Sequence, residues 1–159
     1  MQISSRHHLR SDAVRDIEEA LADRFAVEID GGSYERVEFA DTDLEVVLVD
    51  GEPLVVYFDG EPALTVRGAN AHPPARNVVT VDAGAVSFVS DGADVMRPGI
   101  VEADRSIEPG DLVVVAEETH GKVLAIGRSR AAGDDLLGDS GKVVDSLHHV
   151  GDELYGFSP

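Results

Sequence analysis

Gly92-Ala93-Asp94-Val95-Met96-Arg97-Pro98-Gly99-Ile100 is the stretch around which the second half of this chain is organised. Asp82 precedes it as an N-cap, followed by a short helix with Ala85, Val86, Phe88 and Val89 as its apolar residues, and Gly92 ends that helix. Pro98 fixes one backbone torsion inside the stretch. Outward from it lie short strand-like runs. Val78–Val81 lies upstream, and Leu112–Ala116, Val123–Ile126 and Lys142–Leu147 lie downstream, all reading as short strands rich in β-branched residues. Ala131–Leu137 reads as a helical turn, and Glu153–Phe157 can supply a closing strand. Many short strands with two short helices predict a closed mixed β-barrel over residues 77–159.

Gly68–Arg76 is rich in breakers and marks a boundary, so a separate unit is expected over residues 1–76. It opens with a polar lead, Met1–Arg10. Ser11 is then the expected N-cap of a helix in which Val14, Ile17, Leu21 and Phe25 fall on one face. Tyr34–Phe39, Leu44–Val49, Leu54–Phe58 and Ala63–Arg67 read as strands. Asp50-Gly51 and Asp59-Gly60 separate them as hairpin turns, each opening a copy of Asp-Gly-Glu-Pro. The expected class is α+β: a small helix-plus-antiparallel-sheet domain, 1–76, followed by the barrel, 77–159.

Composition removes whole classes of function. Val, Leu, Ile and Phe make 46 of 159 residues, well above the roughly 20% floor expected of a disordered chain. No apolar run approaches a membrane span and no signal peptide opens the chain, so a cytoplasmic location and no membrane partner are expected. The absence of cysteine excludes disulfides, thiolate metal sites and a cysteine nucleophile. The net charge is −18, and only Lys122 and Lys142 among thirteen basic residues are lysines. Acids are spread evenly along the chain rather than gathered in a tail. This is the style of proteins that work in molar internal salt, where a screening length of about 3 Å blunts self-repulsion. Thermal stability is therefore expected to rise between ~0.1 M and ~2 M KCl. A melting temperature flat across that range would contradict this reading.

No catalytic constellation, cofactor loop or metal cluster stands out. Gly138-Asp139-Ser140-Gly141 is similar to the nucleophile loop of trypsin-like proteases, but Lys142 stands where a further glycine belongs, so a polar turn is the expected role. His7-His8 and His148-His149 are adjacent pairs whose rings diverge on a strand; one of the second pair should pack inward and the other face solvent. Phosphate-loop and dinucleotide fingerprints are missing. A non-catalytic protein is expected.

What remains is the glycine segment. Gly92 and Gly99 let another backbone come close, and Pro98 stiffens the loop in advance. Met96 and Arg97 can offer an apolar face and a guanidinium plane to an unstacked base or a phosphate. Arg128, Arg130 and Lys142 add cations. The runs around Gly92–Ile100, Pro109–Val113, Gly121–Arg128 and Gly141–Tyr155 resemble, in order and spacing, a PUA domain, the RNA-binding module of pseudouridine synthases and archaeosine transglycosylases. With Ile3-Ser4-Ser5, the Ser11–Phe25 helix and the Asn70–Asn77 connection in front of it, the chain resembles the malignant-T-cell-amplified-sequence family and its archaeal relatives.

The resemblance implies a translation protein that binds RNA, either the acceptor end of tRNA or rRNA, together with the small ribosomal subunit and an initiation-factor-like protein. It places the RNA surface on Gly92, Ala93, Val95, Met96, Arg97, Pro98, Gly99, Arg128, Lys142 and His148, with Asp82–Asp91 beside them. Two rival roles are an accessory RNA-binding subunit of a tRNA- or rRNA-modifying enzyme, and a protein-interaction module without an RNA site. Arg6, Arg10 and Arg15 against Asp12 alone give residues 1–15 a positive excess, which suits docking of the first unit to a ribosomal or protein partner.

Overall fold

The helical spacing of Ile17, Leu21 and Phe25 puts all three on the buried side of α1 (Ser11–Phe25), each at most 1% exposed. Burial of such side chains contributes about 1.5–3 kcal/mol apiece. The computed structural model describes residues 1–159. Arg10, not Ser11, takes the cap position, with extended backbone and no side-chain bond; Ser11 is the first helical residue. The first sheet is antiparallel and runs in sequence order from β1 (Ile3–His8) through β2 (Tyr34–Phe39), β3 (Glu45–Val49) and β4 (Glu52–Phe58) to β5 (Glu61–Leu64). The polar lead is thus an edge strand, exposed at all but one of its six positions, which is why it carries no apolar alternation. Asp50, Gly51, Asp59 and Gly60 all have positive φ, between 51° and 84°, as two-residue hairpin turns of the mirror-image type require.

The expected strand Ala63–Arg67 stops at Leu64. Thr65 accepts a hydrogen bond from the Gly68 N–H and starts α2 (Val66–Ala71), a helix where the breaker-rich segment suggested a linker. α2 is wedged between the halves: Asn70 donates to the Val123 carbonyl and accepts from its N–H. The second sheet contains β6 (Val78–Val81), β7 (Val95–Met96), β8 (Ile100–Ala103), β9 (Leu112–Glu117), β10 (Val123–Ser129) and β11 (Lys142–His149), in the order β7-β11-β10-β9-β6-β8. β6 and β9 are parallel and the other pairs antiparallel, so the barrel is mixed. It is nearly closed: β7 and β8, its outer strands, do not pair, and the tight 3-10 turn Arg97–Gly99 spans the seam between them. The two expected short helices are α3 (Val86–Ser90), entered through a 3-10 turn at Ala83–Ala85, and a 3-10 turn at Gly133–Asp135.

Glu153–Phe157 adds no strand. It folds as turns that bury Leu154 and Phe157 against the first half, with the Phe157 ring edge-on to Phe39 at 5.1 Å. All strands of the first sheet precede residue 77 and all strands of the second follow it, yet one 27-residue core joins α1 and the first sheet to Leu112, Val114 and Ile126 of the barrel. A second core of 14 residues fills the barrel itself. No helix is long and apolar enough to cross a membrane.

His148 fastens the halves together. Its ring is buried, Nε2 accepts the Val66 N–H at 3.1 Å, and Nδ1 lies 2.8 Å from Asp152. An accepting Nε2 places the proton on Nδ1, which donates it to the carboxylate. Burial works to raise the pKa of Asp152, but bonds from His148 and from the His149 and Tyr155 N–H groups outweigh it and hold the value at about 2. His148 therefore has no surface to offer RNA, which corrects its assignment.

Candidate nucleic-acid interface

The barrel seam holds the glycine segment. Asp82 accepts the Ala85 N–H at 3.0 Å and sets the direction of α3, a helix too short to bury more than one face. Val89 takes the inward position and Phe88 is left outside, 67% exposed. Across from it stand Met96, 44% exposed, and Pro98. Between them lies a groove of about 340 Å³ with Phe88, Val89, Met96, Pro98 and Gly99 in its walls and Asp82 and Asp94 at its rim. Gly99 lets the seam turn press on the start of the helix: a Cβ there would sit 3.0 Å from that of Ala85. Val95 points into the core, Ala93 is exposed, and Gly92 makes its turn at φ 94°.

The three expected cations divide differently. Arg97 is a clamp: Nε donates to the Asp135 carbonyl at 2.9 Å, one terminal nitrogen to the Ser140 carbonyl at 3.0 Å and the other to the Asp135 carboxylate at 3.2 Å. The Gly138–Gly141 loop wraps this side chain, and a Cβ at Gly141 would lie 2.8 Å from Nη1, which explains the glycines of the protease-like string. Arg97 therefore has fewer donors free than its sequence position suggests. Arg128 faces the first sheet, bonded to Glu61 and the Gly110 carbonyl and 3.5 Å from Asp59; it is a strut between the halves and lies outside the groove. Its guanidinium is engaged by partners in the first half and in the 108–111 turn rather than by the glycine segment. Lys142 pairs in register with Met96 and remains 58% exposed, 4.0 Å from Asp94.

Phe88 falls within Asp82–Asp91, the helix expected beside the glycine segment, and is exposed because a five-residue helix that buries Val89 must expose its neighbour. The sequence does not single out His149 for this seam. Its ring lies against Gly92, where a Cβ would come within 2.6 Å of Nε2, and its Nδ1 faces the Ser90 and Val150 carbonyls at 3.0 and 2.9 Å.

Comparison with known proteins bears on what this seam is. The PUA domain family matches residues 77–151. An uncharacterized protein of Methanocaldococcus jannaschii is 37% identical over 161 residues, covering 99% of both chains. Translation machinery-associated protein 20 of Saccharomyces cerevisiae is 31% identical over 122 residues, 72% of this chain and 67% of its own. The chain belongs to the PUA-domain family of translation machinery-associated protein 20. Malignant T-cell-amplified sequence proteins are among its relatives, in line with the resemblance drawn from Ile3-Ser4-Ser5, the Ser11–Phe25 helix and the Asn70–Asn77 connection. A conserved PUA domain protein from Thermoplasma acidophilum superposes with a TM-score of 0.82 at 30% identity, over 95% of this chain and 97% of its own, so the shared architecture extends through both halves.

Proposed function

We propose that this protein is a non-catalytic RNA-binding factor of translation that takes an unpaired nucleotide into the Phe88–Met96 groove. The observation that carries this reading is the groove itself: two large apolar side chains left exposed around a close-approach glycine, within a PUA domain. An aromatic and a thioether side chain suit the face of any base, and stacking of that kind contributes about 1–3 kcal/mol per base. Lys142 supplies one phosphate contact, while Asp82 and Asp94 suit base amino groups and ribose hydroxyls better than phosphate. Such a site, with few phosphate contacts, depends little on salt, which suits the molar-salt reading of the acidic composition.

The RNA is the acceptor end of tRNA or a single-stranded element of rRNA, met on the small ribosomal subunit, with residues 1–76 turned toward a protein partner and residues 77–159 toward the RNA. The translation-associated relatives favour this role over service to an RNA-modifying enzyme. Affinity capture of the full chain from lysate in molar KCl, followed by RNA sequencing and mass spectrometry, tests it. Enrichment of tRNA 3′ ends or small-subunit rRNA together with small-subunit proteins is expected. Recovery of proteins without RNA would favour the interaction-module role, and recovery of a modifying enzyme the accessory one.

A further inference from the structure

The junction between the halves carries a second concave surface that shares no lining residue with the glycine groove. Where β10 and β11 pair, Ile126 stands opposite His148 and Gly127 opposite Ser146, which leaves Leu147 as the extra residue of a β-bulge. Bulges re-aim side chains at the expense of ladder pairing. Here His148 turns inward to Val66 while Leu147 turns out, 39% exposed. Leu147, with Thr42 and Leu44, forms the wall shared by two adjoining hollows. One, about 550 Å³, lies against Leu44, Tyr57 and Phe58; the other, about 160 Å³, lies against Met1, Leu44 and Leu154.

These walls are held in place. The Arg36 guanidinium covers the Tyr57 ring at 5.4 Å and pairs with Glu45 at 3.5 Å, and the Met1 ammonium pairs with Glu153 at 2.7 Å and Asp41 at 3.3 Å. Asp59 faces Arg128. Five carboxylates line the two hollows (Asp43, Glu45, Asp59, Asp152, Glu153), while Arg36 and Arg128 pair with Glu45 and Asp59 from outside the lining and the Met1 ammonium pairs with Glu153; Asp43 has no cationic partner. An apolar floor with an acidic rim repels a phosphate backbone and suits a cationic chain with apolar side chains.

We infer that this junction groove docks a polypeptide segment presenting one or two large apolar side chains flanked by arginine or lysine. Burial against Leu44, Tyr57 and Leu147 supplies affinity. The carboxylates select among partners by direct pairing, since at molar salt only contacts within about 3 Å escape screening. This inference is independent of the RNA reading, which concerns the other groove.

The test uses the full chain in about 1 M KCl and three short synthetic peptides: one of arginine and leucine, one with its leucines changed to serine, and one with its arginines changed to glutamate. Binding is followed by calorimetry and by amide NMR shifts. The arginine–leucine peptide is expected to shift the amides of Leu44, Tyr57 and Leu147 and to bind at least about tenfold more tightly than either control. Leu147→Ser and Asp43→Lys, both at exposed positions, should each weaken it about tenfold with the melting temperature unchanged, and Phe88→Ala should leave it intact. The inference is overturned by no binding at roughly millimolar peptide, by equal binding of the serine peptide, or by shifts confined to the glycine groove. Displacement of the peptide from the junction amides by a short single-stranded RNA would also overturn it, while leaving RNA binding at the Phe88 groove to be judged separately.

Discussion

Replacing His148 with alanine is expected to cost about 3–5 kcal/mol of folding stability, the range for removing one member of a buried, hydrogen-bonded pair. The ring is 1% exposed and its two nitrogens serve both halves, so truncation orphans the Val66 N–H, takes one partner from Asp152 and leaves a void. His148→Gln, whose side-chain oxygen can still accept from Val66, should recover part of the loss. Acid gives a second view of the same contact. Asp152 titrates at about 2 in the fold and near 3.9 unfolded, so its contribution is complete above about pH 4 and is lost as the pH falls through about 2. Asp152→Asn should therefore be less stable than the natural chain at neutral pH, with the gap closing between about pH 4 and 2. Chemical denaturation of the three variants across that range checks both statements. A His148→Ala midpoint equal to that of the natural chain would contradict the assigned role.

Gly68→Ala should also destabilise, although glycine-to-alanine in an exposed helix interior normally gains roughly 1 kcal/mol. A Cβ at Gly68 would stand 2.2 Å from the Leu54 carbonyl oxygen and 3.0 Å from its carbon, so the β4 backbone must move away from α2. Overpacking against backbone costs about 1–3 kcal/mol, a fall in melting temperature of about 2–4 °C per kcal/mol for a chain of this size. Calorimetry of the single variant decides between crowding and helix propensity, because the two predict opposite signs.

That glycine also shows where the sequence misleads. Val66–Ala71 contains Gly68 and Asn70, which read as breakers; both are required instead by tertiary contact, one by close approach to β4 and the other by its bonds to Val123. α1 was legible from its wet and dry faces and the Asp-Gly hairpins from turn chemistry, while β9 and β10, buried at all but one position each, were legible as short runs rich in β-branched residues. Elements lacking all of these signals were not. β1 is exposed on nearly every side, and β8 is short with Val101 and Glu102 facing out. Within the glycine segment and its neighbours, several side chains serve other contacts than the sequence suggested. The bulge at Leu147 sends His148 into the core while His149 lies beside Gly92, and strand alternation alone cannot reveal a bulge. Arg97 and Arg128 read as free cations because their carbonyl and carboxylate partners lie 18 or more residues away in the chain.

The central claim, that the seam groove holds an unpaired base, stands or falls on Phe88. Its side chain is 67% exposed, so Phe88→Ala removes the stacking face without opening the core. Fluorescence anisotropy of a short RNA with a free single-stranded 3′ end, measured in about 1 M KCl, should show affinity reduced by about 1–3 kcal/mol, roughly 5- to 150-fold, with the melting temperature unchanged. Equal affinity of the natural chain and Phe88→Ala for that RNA would contradict it.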